Sequence, residues 1–352
     1  MTGSHAFYFV STPLNTILAT LLALQKPEEK AHLLCVDRRE ARPDPMMQAL
    51  EQWSSSPFES IHILVSKGTK PWRSYALRQK AFTTIDALVA RYRPARFYTC
   101  NDRRIEFLYG VEAARNLDYT PSCSYVDDGV YSYFPTEKRW YQESVAEQWL
   151  KKAVYGSWYN VPRVVGSSPL LESAYLLFPE KAHAYLQKIT LHTLELTPLQ
   201  EAPMQAFFRT FLDVAGITLP DLSTVSTVYI LPHSSLFGRY PSFVDRVTGQ
   251  VRTPGEAGGI GIKYHPREAG PDLLNLTQSP RVTVIPAEAP FEILLPLLAP
   301  GTALVGNVST ALLTAKLIRP DITVTALLSD ADTRSRMLLP LFEALGIRVE
   351  TL

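Results

Sequence analysis

The chain has 352 residues, 46% of them hydrophobic and 20% charged, a composition that suits a soluble two-domain protein and excludes a disordered chain, a collagen or a coiled-coil rod. With 35 Lys and Arg against 34 Asp and Glu the formal net charge is +1, so the global basic field of a nucleic-acid binder is missing and no nucleic-acid partner is expected. Cys35, Cys100 and Cys123 fit neither a disulfide framework nor a zinc site, which points to a reducing compartment.

Residues 6–25 carry no charge, but Ser11, Thr12, Pro13, Asn15 and Thr16 interrupt the run and no Lys or Arg precedes it. The segment therefore reads as strand, turn and helix, not as a signal peptide or membrane span, and a cytoplasmic protein is expected. Short apolar runs then alternate with helix-length amphipathic stretches, the pattern of parallel sheets with helices on both faces. Strands are predicted at Ala6–Val10, His32–Val36, Ser60–Leu64, Arg96–Thr99 and Ser122–Val126, with helices at Asn15–Leu24, Asp44–Trp53 and Ser74–Tyr92. These make a doubly wound domain over 1–155. Residues 156–220 read as a mostly helical connector, Glu143–Ala153, Pro179–Lys188 and Glu201–Val214 being the clearest helical stretches in and around it. Over 221–352 alternation resumes, with strands at Thr227–Leu231, Gly259–Tyr264, Arg281–Ile285, Thr302–Val305 and Ile322–Leu327 and helices at Ser309–Leu317 and Asp332–Leu345. The fold class is α/β, two Rossmann-like doubly wound domains expected to face a cleft, where open sheets bind ligands.

Candidate site residues gather at predicted strand ends. Val10-Ser11-Thr12-Pro13-Leu14-Asn15 is a polar strand-to-helix turn without dinucleotide-binding glycines, and no phosphate-binding P-loop occurs, so neither a nicotinamide enzyme nor an NTPase is supported. Asp127-Asp128-Gly129 follows an apolar strand. Two adjacent carboxylates at a desolvating strand end suit a general base, because each raises the other's pKa; an ordinary Asp-Gly turn explains the spacing as well. Leu231-Pro232-His233-Ser234 adds an imidazole and a hydroxyl after another strand.

Lys263-Tyr264-His265-Pro266-Arg267 clusters three potentially cationic groups, and a phosphate leaving group is what such a cluster would neutralise. Glu288 and Glu292 could accept from a ribose diol, or simply be acids near a helix start. Gly306-Asn307-Val308-Ser309-Thr310 passes from strand to helix, where a hydroxyl and unpaired backbone amides form an anion site; simple N-capping is the compatible alternative.

Taken in order, Asp-Asp-Gly, Lys-x-His-Pro, Phe-Glu and Val-Gly-x-Val-Ser-Thr resemble the motifs of the bacterial sialyltransferases, including the lipooligosaccharide and polysialic acid enzymes. These are CMP-sugar-dependent glycosyltransferases of GT-B fold, and the resemblance runs from the Ser-Thr-Pro-Leu-Asn turn to the final helix. It implies that Asp128 is the general base, with Asp127 and Gly129 shaping its turn. It also implies that His265 acts on the departing CMP phosphate, that Lys263 and Tyr264 line the cytidine pocket partly through backbone atoms, that Glu292 holds the ribose, and that Ser309 and Thr310 bind the phosphate. The reaction implied is a single inverting displacement without metal or cofactor, from CMP-sialic acid or another CMP-nonulosonic acid to a glycan or glycolipid of the cell surface such as capsule or lipooligosaccharide. The same fold also serves CMP-Kdo, CMP-legionaminic and CMP-pseudaminic acid and, in other enzymes, UDP- or GDP-sugars; a non-catalytic sugar-binding protein is the rival from outside the enzymes. Tyr131 and Tyr133, just after the proposed base, are the aromatic candidates for acceptor stacking among Trp53, Trp72, Tyr98 and Phe134. The stretch Lys138 to Trp158, with Trp140, Tyr141, Trp149, Lys151 and Lys152, reads as an amphipathic connector, with peripheral contact to the inner face of the inner membrane as the alternative.

Overall fold

A computed structural model describes residues 3–39, 44–134, 144–253, 258–268, 270, 272–329 and 333–352. Lys138, Trp140, Tyr141, Glu143 and Asp332 of the predicted segments lie outside them. The chain divides into two compact units between Pro198 and Leu199.

The first unit is a seven-stranded sheet in the order β3-β2-β1-β4-β5-β6-β7, every pair parallel. Its strands are β1 His5–Val10, β2 Lys30–Arg39, β3 Phe58–Lys67, β4 Arg96–Thr99, β5 Ser122–Val126, β6 Leu171–Leu176 and β7 Thr190–Thr193. Between them run α1 Pro13–Leu24, α2 Pro45–Gln52, α3 Pro71–Tyr92, α4 Ile105–Arg115, the short α5 Val130–Tyr133 and α6 Val145–Tyr155. Central β1 is buried on both faces, as its apolar run requires in a doubly covered parallel sheet. Phe7 stacks on Phe97 at 5.6 Å and Phe9 meets Phe107 edge-on at 5.7 Å; each such buried ring is worth about 1.5–3 kcal/mol. Gly110 of α4 lies against these rings: a Cβ there would come within 3.1 Å of Phe9 and 3.2 Å of Phe97, a tight fit that the rings would have to yield to by a few tenths of an ångström.

The predicted connector is corrected here. Residues 171–193 supply two more strands of the first sheet, and the helix α7, Ala202–Ala215, belongs to the second unit. Pro179–Lys188 is not one helix but two 3₁₀ turns, Pro179–Lys181 and Leu186–Lys188. Tertiary bonds break the periodic stretch: the His183 amide donates to Ser132 O at 3.1 Å and its imidazole meets Val165 O at 3.0 Å.

The second unit is a six-stranded parallel sheet in the order β10-β9-β8-β11-β12-β13. It comprises β8 Val225–Ile230, β9 Gly259–Lys263, β10 Val282–Ile285, β11 Ala303–Gly306, β12 Thr323–Leu328 and β13 Arg348–Thr351, with α8 Pro241–Arg252, α9 Phe291–Leu294, α10 Thr310–Ile318 and α11 Thr333–Ala344. In both units the first strand stands where the order reverses, between β2 and β4 in one and between β9 and β11 in the other. Open α/β sheets bind ligands beyond the strand ends at that point. No helix among the described residues is long and apolar enough to cross a membrane.

Candidate active site

At the carboxyl edge of the first sheet, a pocket of about 210 Å³ is lined by Ser11 and Thr12 after β1, Asn101, Arg103 and Arg104 after β4, Asp128 and Tyr131 after β5, and Val165. Thr12 caps α1 by accepting from the Asn15 amide at 3.1 Å, and Pro13 fits the first helical position, where no N–H is needed. That start fixes Asn15 in the first turn, buried, with its side chain toward the turn after β5.

The two acids of that turn differ completely. Asp127 is fully buried and all its capacity goes to the fold: Oδ1 accepts from Gly129 N at 2.7 Å and Ser132 Oγ at 2.9 Å, and Oδ2 accepts from Leu177 N at 3.0 Å and from the Tyr133 hydroxyl. Gly129 has φ 69°, the left-handed region that favours glycine, and this turns the chain into α5. Asp128 instead lines the pocket, half-buried, its Oδ1 accepting from Asn15 Nδ2 at 2.7 Å. Burial pushes its pKa up to about 7; the Asn15 bond and the Arg104 charge oppose that rise, and Asp127 and Asp102 add to it. A carboxylate so poised near neutrality can take a proton from a hydroxyl.

A chain of hydrogen bonds orients this group. Arg104 Nη2 donates to Ser11 Oγ at 3.2 Å, Ser11 Oγ donates to Asn15 Oδ1 at 3.2 Å, and Asn15 Nδ2 then has only its donor face for Asp128. Arg104 is held by Asp37 at 2.5 Å, and Lys67 lies 2.7 Å from the same carboxylate. Asp37 itself has φ 63°, a conformation aspartate tolerates better than most residues. Asp102 is buried and accepts from Gly166 N and Ser168 N, both at 2.8 Å, fixing the segment that carries Val165. The sequence reading named Asn15, Asp127, Asp128 and Gly129 but passed over Asn101–Arg104. The signal was there: a polar run directly after β4, at the strand next to the reversal of order.

In the second unit His265 follows β9, half-buried. Pro266 and Arg267, both exposed, turn the chain so that Arg267 N donates to His265 Nδ1 at 3.2 Å. Nδ1 is thereby the acceptor and Nε2 carries the proton. Burial lowers the His265 pKa, and the Arg267 and His233 charges lower it further, so at neutral pH it is an uncharged donor. His233, after β8, packs edge-on at 5.3 Å. Glu268 accepts from Ser234 N at 2.5 Å and Ser234 Oγ at 3.0 Å, joining the two loops. Ser309 caps α10, accepting from Ala311 N at 3.2 Å, and Thr310 begins the helix, at the other strand flanking the reversal.

The remaining candidates differ in exposure and in partners. Tyr264 is buried with its hydroxyl committed, donating to Asp272 at 2.8 Å and accepting from Leu274 N at 3.1 Å, so only its backbone can serve a ligand. Lys263 is likewise buried: Nζ donates to Ala287 O at 2.8 Å and Tyr264 O at 3.3 Å, tying the end of β9 to the loop after β10. Burial lowers its pKa to about 8 against the opposing charges of Glu292 and Glu288. Glu292 is buried beside it, its pKa raised by burial, whereas Glu288 is exposed. Among the aromatic candidates Trp53, Tyr98 and Tyr133 are core, leaving Tyr131 at the pocket, Phe134 half-buried just after α5 and Trp72 at the surface.

No protein-family model matches the chain, and no curated protein matches it in sequence. Solved structures do match in fold. An α/β-galactoside α-2,3-sialyltransferase from Photobacterium phosphoreum superposes with TM-score 0.60 at 12% identity, over 100% of this chain and 99% of that one. The chain has the GT-B fold. A 2,6-sialyltransferase of a Photobacterium species, solved with CMP and lactose, gives 0.58 at 13% identity over 99% of this chain and 78% of that one. UDP-GlcNAc 2-epimerase from Methanocaldococcus jannaschii gives 0.54 at 12% identity over 99% and 88%. This GT-B chain is thus similar in fold both to sialyltransferases and to an enzyme that rearranges a UDP-sugar.

Proposed function

We propose that this protein is an inverting, metal-independent glycosyltransferase that moves sialic acid, or a related nonulosonic acid, from its CMP ester to a hydroxyl of a cell-surface glycan such as capsule or lipooligosaccharide. The observation that carries the reading is Asp128: a pocket carboxylate with a pKa near 7, oriented by Asn15, at the acidic pair of the Asp-Asp-Gly motif. In the reaction the acceptor oxygen attacks the anomeric carbon, its proton passes to Asp128, and the bond from that carbon to the phosphate oxygen breaks to release CMP. His265 Nε2–H stabilises the charge that gathers on the leaving phosphate, and Ser309 and Thr310, with the amides opening α10, hold the same group. One phosphate needs less neutralisation than two, which is why a donor with a single phosphate suits one imidazole and one helix terminus. Because the fold serves other donors too, the motif order at Asp128 and His265 is what supports a CMP-sugar.

The test is transfer from a panel of CMP-sialic acid, CMP-Kdo, CMP-legionaminic acid, CMP-pseudaminic acid, UDP-GlcNAc and a GDP-sugar to lactose and to lipooligosaccharide, in EDTA. Transfer from a CMP-sugar with inversion is expected. Turnover of a UDP- or GDP-sugar alone, or activity only after adding Mg²⁺, would replace this reading with another GT-B activity.

A further inference from the structure

Helix α6 is amphipathic in the wrong direction for a helix of a globular domain. Ala146, Trp149, Leu150, Ala153 and Val154 fall at the spacing i, i+3, i+4, i+7, i+8, one continuous stripe, and all five are exposed, Trp149 at 73% and Leu150 at 66%. Such a stripe ordinarily faces the core. Here the half-buried positions are Gln148, Lys151, Lys152 and the terminal Tyr155, with Lys151 over the Tyr159 ring.

Helix α6 adjoins α3 through its last residue, Tyr155, on the side away from the stripe. Tyr155, next to Val154, packs its ring 6.0 Å from that of Tyr75, and Arg78 donates to the Tyr155 hydroxyl at 2.9 Å. Tyr75, Ala76 and Trp72 repeat the exposed i, i+3, i+4 pattern at the start of α3, Trp72 at 66%. Exposed apolar side chains thus stand on two adjoining helices, Trp149, Leu150 and Val154 on α6 and Trp72 and Tyr75 on α3. The chemistry of the two segments names the occupant. Residues 70–80 and 144–155 contain six cations, Lys70, Arg73, Arg78, Lys80, Lys151 and Lys152, against one acid, Glu147, whose carboxylate is taken up by the Ser144 capping box.

We propose that the exposed apolar side chains of α6 and of the start of α3 make a membrane-contacting surface that rests on anionic phospholipid, tryptophans and leucine in the headgroup region, with the net positive charge of the two segments drawing it to the lipid. An in-plane helix with tryptophan and leucine on one side and lysine at its edges binds a bilayer interface in this way. A second copy on the same face is disfavoured, since an isologous contact would set the cations against their own copies. The surface stands apart from the transfer reaction: binding to vesicles is read without donor or acceptor, so either proposal can fail alone.

The experiment is co-sedimentation of the full chain with phosphatidylcholine vesicles, with and without about a quarter phosphatidylglycerol. Binding only to the anionic vesicles, weakened by salt and accompanied by a blue shift of tryptophan fluorescence, is expected. Trp149→Ser with Leu150→Ser should weaken it at least about tenfold and Lys152→Glu roughly fivefold. Leu297→Ser, an exposed apolar residue of the second unit, should leave it unchanged. Equal melting temperatures of the variants keep the comparison free of folding defects. Wild-type protein that stays in the supernatant with anionic vesicles, or a Trp149/Leu150 variant that binds as well as wild type, overturns the proposal. So does a concentration-dependent dimer that the same double variant dissociates, which would give the stripe to a second copy.

Discussion

The side-chain amide of Asn15 donates to Asp128 over 2.7 Å, joining the first turn of α1 to the turn after β5 across 113 residues of sequence. A hydrogen bond to the charged form of an acid lowers its pKa, so Asn15 opposes the rise that burial imposes on Asp128. Asn15 is therefore a positioning residue for the proposed base. Asn15→Ala should move the acid limb of the transfer rate to higher pH and lower the rate at pH 7 about tenfold to a hundredfold. An unchanged pH profile, with only the rate reduced, would show that Asn15 shapes the pocket without tuning Asp128.

Asp128→Asn keeps the acceptor for Asn15 but removes the base, and transfer should fall about 10²- to 10⁴-fold while CMP affinity holds. Stability should move the other way. The folded pKa of Asp128, about 7, exceeds its ordinary value of 3.8. Between these values the folded state binds the extra proton, so its contribution declines as pH rises from about 4 to 7. The variant should thus melt above wild type at pH 8 and alongside it at pH 4. Thermal melts at both pH values check this, and a variant less stable at pH 8 would refute it.

Asp127 predicts a different phenotype from its neighbour. Tyr133→Phe takes one of four donors from a buried carboxylate, which should cost about 1–3 kcal/mol in urea denaturation. Donor binding should barely change. A large loss of CMP affinity with normal stability would instead give Tyr133 a ligand role.

His265 is neutral at pH 7 with its proton on Nε2. His265→Ala should weaken CMP binding roughly tenfold and cut transfer about a hundredfold, whereas His265→Gln, which keeps a donor, should recover part of both. Calorimetric titration with CMP and initial rates decide it; equal loss in the two variants would mean that the ring, not its donor, is what the site needs.

Lys263 should leave its mark on alkaline stability. Its folded pKa, about 8, lies below the ordinary 10.5, so between those values the unfolded chain holds the extra proton and stability gains with rising pH. Lys263→Met should lack that rise. Chemical denaturation at pH 8 and pH 10 compares the two, and parallel curves would remove the buried-lysine account.

Much of this molecule is legible locally. Arg96–Thr99 and Ser122–Val126 have the predicted ends because each is a short run of strand-forming residues closed by a polar turn, and β1 stands out because it is buried on both faces. Strands β7 and β13 are not legible: both are sheet-edge strands with mostly exposed residues and no apolar alternation, and each exists because a neighbour supplies its ladder. Helix α4 is not legible either, since its Gly110 reads as a breaker until the close approach of the rings of Phe9 and Phe97 is seen.

The site divides along the same line. Sequence alone determined that two acids and a glycine close β5 and that a histidine and a proline close β9, because strand ends and turns depend on residues a few positions apart. Which acid is presented was decided by the tertiary structure. Asp127 is claimed by Ser132 and Tyr133 and by Leu177 from 50 residues away, while Asp128 is left to the pocket and to Asn15. No local pattern contains that choice, since a carboxylate's partners are fixed only once distant strand ends share one edge of a sheet.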